Sequence, residues 1–192
     1  DVPVSHGPTG TCVVLITDDA QRTMLTCLGV SADVSPEDVD PSLIEQSRFV
    51  YVEGYLFSAD SPRQAAMRAI QLADASDAQL SLTVSDAFLV DGFRDQFLDL
   101  AKGPVDLLFC NEDEARSLLQ HDDTTACARE LGSWVPRVAI TQGADGALLV
   151  ENGRLIEVPG VPAEAIDTTG AGDMFAAGVL FGLAHGHNFE ES

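Results

Sequence analysis

The chain has a single lysine, Lys102, and no glycine-rich turn leads into it, so a Walker phosphate loop, which needs a lysine after its last glycine, is excluded. Basic residues of any kind are scarce: ten Lys and Arg stand against 31 Asp and Glu, a formal net charge of −21. A field of that sign repels phosphate backbones and anionic membrane surfaces, which argues against a nucleic-acid or membrane partner. It also opposes an anionic nucleotide. Any nucleotide site here must therefore work through local devices: backbone amides, a helix N-terminus, one or two arginines and a divalent cation. The cysteines, Cys12, Cys27, Cys110 and Cys127, include no C-x-x-C pair, so no zinc cluster or dithiol motif is encoded and reduced, mostly buried thiols are expected. No apolar run reaches the roughly 20 residues of a spanning helix. The opening DVPVSHGPTG has no basic segment leading into an apolar one, and the cytoplasm is the expected compartment. Both ends read as cut: there is no initiating Met, and the chain stops at HNFEES, where a fresh helix begins.

What is present suits one soluble domain. The 192 residues are 45% hydrophobic and 21% charged, enough for a single substantial core. TCVVLIT (11 to 17) and RTMLTCLGV (22 to 30), split by DDAQ, read as a hairpin. SPEDVDPSLIEQ predicts a helix with Ser35 as N-cap and Pro36 at its first position. RFVYVEGYLF (48 to 57) predicts a buried strand, and SPRQAAMRAIQLADAS a helix capped by Ser-Pro with Ala66, Ile70 and Ala73 on its inner face. QLSLTVS, VDLLFCN and RVAITQG are further strands, GFRDQFLDLAKG a helix closed by Gly103, and EDEARSLLQ and TTACARELGSW short helices. Asn152-Gly153 predicts a second hairpin between alternating apolar positions. Strands alternating with helices imply βαβ units and a largely parallel sheet covered on both sides.

In such sheets ligands sit beyond the carboxyl ends of the strands, which directs attention to three loops. In the last, AIDTTGAGDMFAAG, residues 165 to 178, small residues occupy the first turn of an apolar helix, whose free N–H groups and positive end form an anion site that also stabilises a carboxylate at Asp173. On the residues alone, Asp173 reads equally as helix-end charge and the glycines as a turn. Gly178 and Gly182 read as close-packing positions, and His185 and His187 as a helix end. In NEDEA the acids cap a helix by default, but Asn111 and Glu114 face one side and offer hard oxygens suited to Mg²⁺. TQGADG is a turn, or a floor that lets a nucleotide approach the backbone. A dinucleotide fingerprint fits poorly, because Phe175 stands where a third glycine is wanted.

The segment Asp167-Thr-Thr-Gly-Ala-Gly-Asp173 followed by MFAAGVL resembles the C-terminal signature of the PfkB (ribokinase-like) kinases, and the order N-x-x-E, T-x-G-x-x-G, D-T-x-G-A-G-D is similar to that family throughout the chain. R-T-M at 22 to 24 and YVEGYLF at 51 to 57 look like an adenosine kinase-like or sugar kinase-like bacterial branch. The resemblance implies an α/β, ribokinase-like, mostly parallel sheet with helices on both faces. Residues 1–30 would be part of a β lid and 31–192 a partial kinase core, with N- and C-terminal parts missing. It implies ATP-dependent transfer of a phosphoryl group to a hydroxyl of a small sugar or nucleoside. Asp173 would be the base, and the Gly170, Ala171 and Gly172 amides the anion hole. Asn111 and Glu114 would place Mg²⁺ and phosphates through water, and Thr141, Gly143 and Gly146 would line the nucleotide. Asp167 and Thr169 would hold a monovalent cation such as K⁺. Arg22 would cap the phosphates on lid closure, or else be a solvated hairpin arginine. Glu53 and Tyr55 would face the acceptor, or else form a core edge. A homodimer through the lid is within the family's range, and a non-catalytic nucleotide-binding or regulatory member is the alternative function.

Overall fold

Two β-branched runs near the start pair as strand β1 (Thr11–Ile16) and strand β2 (Arg22–Cys27), antiparallel, with Thr11 opposite Cys27 and Ile16 opposite Arg22. They belong to a computed structural model that describes residues 6–17 and 22–192, so the expected DDAQ turn lies outside the described residues. The second strand is shorter than expected. Gly29, in the left-handed region at φ +54°, packs so closely on the Pro8 carbonyl that the chain leaves the ladder and turns through Gly29–Asp33. Cys12 and Cys27 lie exposed on this hairpin, and only Cys110 and Cys127 are buried thiols as expected.

Where one helix was expected after Ser35, there are two pieces. Ser35 and Asp38 close a capping box around a single 3-10 turn, Pro36–Asp38. Pro41 then forces Asp40 into an extended conformation, and helix α1 (Pro41–Gln46) starts afresh with Asp40 accepting from the Ser42 N–H. Strand β3 (Phe49–Glu53) also stops early. At Gly54 a Cβ would lie 2.3 Å from the Val84 carbonyl oxygen, and residues Gly54–Ser58 coil into a 3-10 turn that buries Phe57. Helix α2 (Asp60–Asp74) buries Ala66, Ile70 and Ala73, but its N-cap is Ala59, without a side-chain bond. Ser61, the expected cap, instead donates its hydroxyl to the Val34 carbonyl at 2.8 Å.

Strand β4 (Gln79–Thr83) leads into helix α3 (Ala87–Lys102), which begins five residues before the predicted start because Asp86 caps it, accepting from the Phe88 N–H at 3.0 Å. The backbone kinks at Phe93, and Gly103 closes the helix. Strand β5 (Leu107–Asn111), helices α4 (Glu112–Leu119) and α5 (Thr124–Leu131), and strand β6 (Arg137–Thr141) follow as expected. Strands β7 (Gly146–Glu151) and β8 (Arg154–Pro159) form the predicted hairpin, with Asn152 at φ +50° and Gly153 at φ +80°, the two positive angles of a type I′ turn. An irregular segment, not a strand, then runs to helix α6 (Ala171–Ala184).

Strands β3 to β8 form one sheet in chain order, parallel from β3 to β6 and antiparallel from β6 to β8. Alternating residues feed opposite faces, so the central strands are apolar throughout. Val52, Leu82, Leu108 and Ile140 point into the core shared with α2 to α5, whereas Leu107, Phe109, Ala139 and Leu149 meet Ala176, Val179 and Leu183 of α6. The sheet is thus a platform whose parallel strand ends all open on one side.

Candidate active site

The parallel strands end at Glu53, Thr83, Asn111 and Thr141, and the first turn of α6 carries the glycine-rich loop. Gly170, at φ +76°, turns the chain into that helix, as only a residue without Cβ does readily. Helix bonding starts with the Met174 N–H donating to the Gly170 carbonyl at 2.9 Å. The Gly170, Gly172 and Asp173 N–H groups find no acceptor among the described residues, and the space where a Gly172 Cβ would stand is open to 4 Å. These are the orphan donors of a helix start, backed by its dipole. The Ala171 amide differs from expectation: it donates to the Thr168 carbonyl at 3.2 Å, tightening the turn. Asp173 is exposed, and one carboxylate oxygen lies 3.8 Å from where a Gly170 Cβ would be.

Asp167 folds back on its own loop. Its Oδ1 accepts the Thr169 N–H at 2.8 Å, and hydrogen bonds from Thr169, helped by the Arg22 guanidinium, hold its carboxyl below the ordinary range. Arg22 reaches from β2 to this loop, donating from Nη1 to the Thr168 hydroxyl at 2.9 Å. The hairpin and the α6 loop are therefore tied by a direct contact across 146 residues of sequence.

Asn111 and Glu114 also come together, as a complete capping box at the start of α4. The Glu114 N–H donates to Asn111 Oδ1 at 2.8 Å, and Asn111 returns its N–H and its amide to the two Glu114 oxygens at 2.9 and 2.7 Å. Glu114 is buried, and burial, reinforced by Asp86 and Asp113 and opposed by the Asn111 N–H, pushes its carboxyl up to about 7. Thr141 sits half-buried at the end of β6. Gly143 and Gly146 divide in role. Gly143, at φ +58°, has open space around it, whereas a Cβ at Gly146 would fall 2.0 Å from the Val158 oxygen, so Gly146 is required by the β7–β8 crossing itself.

Several residues of this region escaped sequence reasoning. Ser85 holds φ +71°, a conformation with no signature in a serine, and Thr168 gave no sign of its bond to Arg22. Asp86 is legible as an N-cap before an apolar run, although the pattern GFRDQFLDLAKG places the helix start only at Gly92. Tyr55 and Phe88 are exposed rings 6.5 Å apart beside Asp86. A cavity of about 620 Å³ lies between α2 and α3 against Arg63, Met67, Arg68 and Gln96, and no strand-end residue lines it. It is remote from this chemistry. Among the described residues no three His, Cys, Asp or Glu side chains converge to hold a metal ion.

Known proteins extend these observations. The family described as pfkB family carbohydrate kinase matches residues 2–192. Adenosine kinase 1 of Arabidopsis thaliana is 28% identical over 96% of this chain and 58% of its own length, and the fructokinase of Klebsiella pneumoniae is 31% identical over 93% and 60%. The crystal structure of adenosine kinase from Sinorhizobium meliloti superposes with a TM-score of 0.91 at 35% identity, over 97% of this chain and 58% of that one. The chain thus spans less than two thirds of the length of each of these three. With a family match along nearly all of its length, it belongs to the PfkB family of carbohydrate kinases.

Proposed function

We propose that the protein transfers a phosphoryl group from ATP to a hydroxyl of a small sugar or nucleoside, with Asp173 as the base. The observation that carries this reading is the first turn of α6, where unpaired Gly172 and Asp173 N–H groups and the Asp173 carboxylate lie together at the strand ends. Asp173 takes the proton of the acceptor hydroxyl, the oxygen forms a bond to the γ-phosphorus, and the bond to the β-phosphate oxygen breaks to release ADP. Charge on the transferring oxygens is met by the amides of Gly170 and Gly172 and by the N–H of Asp173. The Ala171 amide can join them only by giving up Thr168.

Arg22, already on the α6 loop, supplies the cationic cover when the hairpin acts as a lid. Thr141 and the open backbone at Gly143 line the nucleotide, with Gly146 holding that floor in place. Mg²⁺ fits this donor set through water, because each Glu114 oxygen already accepts a bond from Asn111. Asn111 and Glu114 would hold it, and its chemistry is to neutralise phosphate charge. Asp167 and Thr169 are the proposed hold for a monovalent cation. The exposed Tyr55–Phe88 pair suits a flat base and favours a nucleoside acceptor. An ATP-consuming enzyme of this kind works in the cytoplasm. The exposed Val13, Leu15 and Leu25 on one face of the hairpin support a homodimer through the lid.

An acceptor screen of nucleosides, ketoses and aldoses with ATP and Mg²⁺ tests the reaction. Asp173→Asn should lower turnover about 10²- to 10⁴-fold, with nucleotide affinity by calorimetry kept. Turnover unchanged by Asp173→Asn would remove the assigned base.

A further inference from the structure

Helices α2 and α3 cover the same face of the sheet without closing on each other, because α2 packs on the Pro36–Asp38 turn and α3 on α4. The cavity of about 620 Å³ lies in the gap. It runs beside the half of α3 that follows the kink at Phe93, where Gln96, Asp99 and Leu100 line it. Leu100 and, from α2, Met67 form its floor, both packed on the core beneath. Small-molecule sites have volumes of roughly 300 to 1,000 Å³, and this one falls among them.

The charge of the lining runs against that of the chain. Over the whole sequence 31 acids face ten bases, whereas in the cavity Arg63 and Arg68 meet a single acid, Asp99, which pairs with neither. At about 100° per residue, Met67, Gln71 and Gln64 fall between the two arginines around α2, so the guanidiniums flank the stripe that faces the gap. Arg63 is held in place: its guanidinium lies 5.5 Å from the centre of the Phe93 ring and pairs with the exposed Asp60 carboxylate. Arg68 is exposed and, among the described residues, makes no ion pair, hydrogen bond or ring contact. A solvated arginine alone would carry nothing. Beside a second, fixed arginine, an apolar floor and three neutral amides, it completes a receptor for an amphipathic anion. We propose that the α2–α3 cavity binds a small monocarboxylic acid with an apolar body. Arg68 takes the carboxylate, Arg63 adds to the positive field, and the body lies on Met67 and Leu100. A carboxylate suits the site better than a phosphate, because Asp99 and the net charge of −21 oppose a dianion more strongly than a monoanion. No strand-end residue takes part, so the inference goes beyond the phosphotransfer reading and does not rest on it.

The test is calorimetric titration of octanoate, with octanol as the uncharged control, into the full chain and its variants Arg68→Gln, Arg68→Lys and Gln96→Glu. Arg68 and Gln96 are both exposed, so the variants should fold, which melting curves check. Octanoate should bind the wild-type protein about tenfold more tightly than octanol does. Arg68→Gln should remove about that factor, as loss of a hydrogen bond to a charged group does, and leave octanol unaffected. Arg68→Lys, which keeps the charge, should recover part of the loss, and Gln96→Glu, which sets a carboxylate on the opposite wall, should weaken octanoate several-fold. Equal affinity for octanoate and octanol would reduce the cavity to apolar surface. Octanoate binding that none of the variants changes would place the acid elsewhere, and absence of octanoate binding would remove the site. Each of these three results overturns the assignment, and none of them touches the phosphotransfer reading.

Discussion

At Glu114 a buried carboxyl is satisfied by hydrogen bonds and still carries a cost that depends on pH. In the unfolded chain a glutamate titrates near 4.3, whereas here burial moves it up to about 7. Between those values the folded state keeps a proton that the unfolded state has lost. Stability from this group is therefore fully present below about pH 4.3 and declines as pH rises through 7, by at most about 4 kcal/mol. Glu114→Gln cannot ionise. It should lose a fixed amount, because its amide turns a donor toward the Asn111 amide, yet its stability relative to wild type should climb between pH 5 and 7 and level off above that. Urea unfolding at several pH values measures this, and a constant difference would show that Glu114 titrates like an exposed acid. The same residue joins fold and site, since its box with Asn111 fixes the entry to α4 at the strand ends.

Among the elements, the β6–β7–β8 meander makes the sharpest demand on backbone. Gly146 sits where β7 crosses β8 at φ +106°, with backbone in the space of its missing Cβ. Gly146→Ala should cost about 3 kcal/mol or more, combining backbone strain with a clash that only main chain can relieve. Gly143→Ala, with open space around it, should cost only about 1 to 2 kcal/mol and act on nucleotide affinity instead. Thermal melting and nucleotide titration of the pair separate a structural glycine from a ligand-facing one. The sequence put both in one motif and could not divide them, because the Val158 oxygen that excludes a side chain comes from another strand. Where a signal is local it was readable: Asn152-Gly153 made the turn it predicts, and Ala66, Ile70 and Ala73 are buried together. Where two local signals compete, the tertiary partner decides. Pro41 split the expected helix after Ser35, Val84 stopped β3 at Glu53, and Val34 claimed the hydroxyl of Ser61. The loop order of the candidate site was legible because it is a string of backbone-defined turns. The links Arg22–Thr168 and Ser85–Glu53 were not, since each joins loops distant in sequence.

Over the whole molecule the charge of −21 and the apolar character of α6 set how the protein behaves in solution. Self-repulsion of that size opposes the compact state and is screened by salt. Raising NaCl from 10 to 100 mM shortens the screening length from about 30 to about 10 Å, so the urea midpoint should rise. A falling midpoint would mean that the few surface ion pairs outweigh the net charge. The outer face of α6 leaves Met174 and Phe181 exposed at 73% and 64%, an apolar stripe along a helix whose inner face is already packed.

The first turn of that helix holds both the unpaired amides and Asp173, and the whole rod is seated by Ala176, Val179 and Leu183. The groups proposed to handle phosphate and proton are therefore built into one rod, while the loops after β3 and β4 are separate elements. On the proposed reading, a lineage could exchange one acceptor for another by redrafting the Tyr55–Phe88 pair and the loops that carry it. The proposed apparatus of transfer would pass through that change untouched.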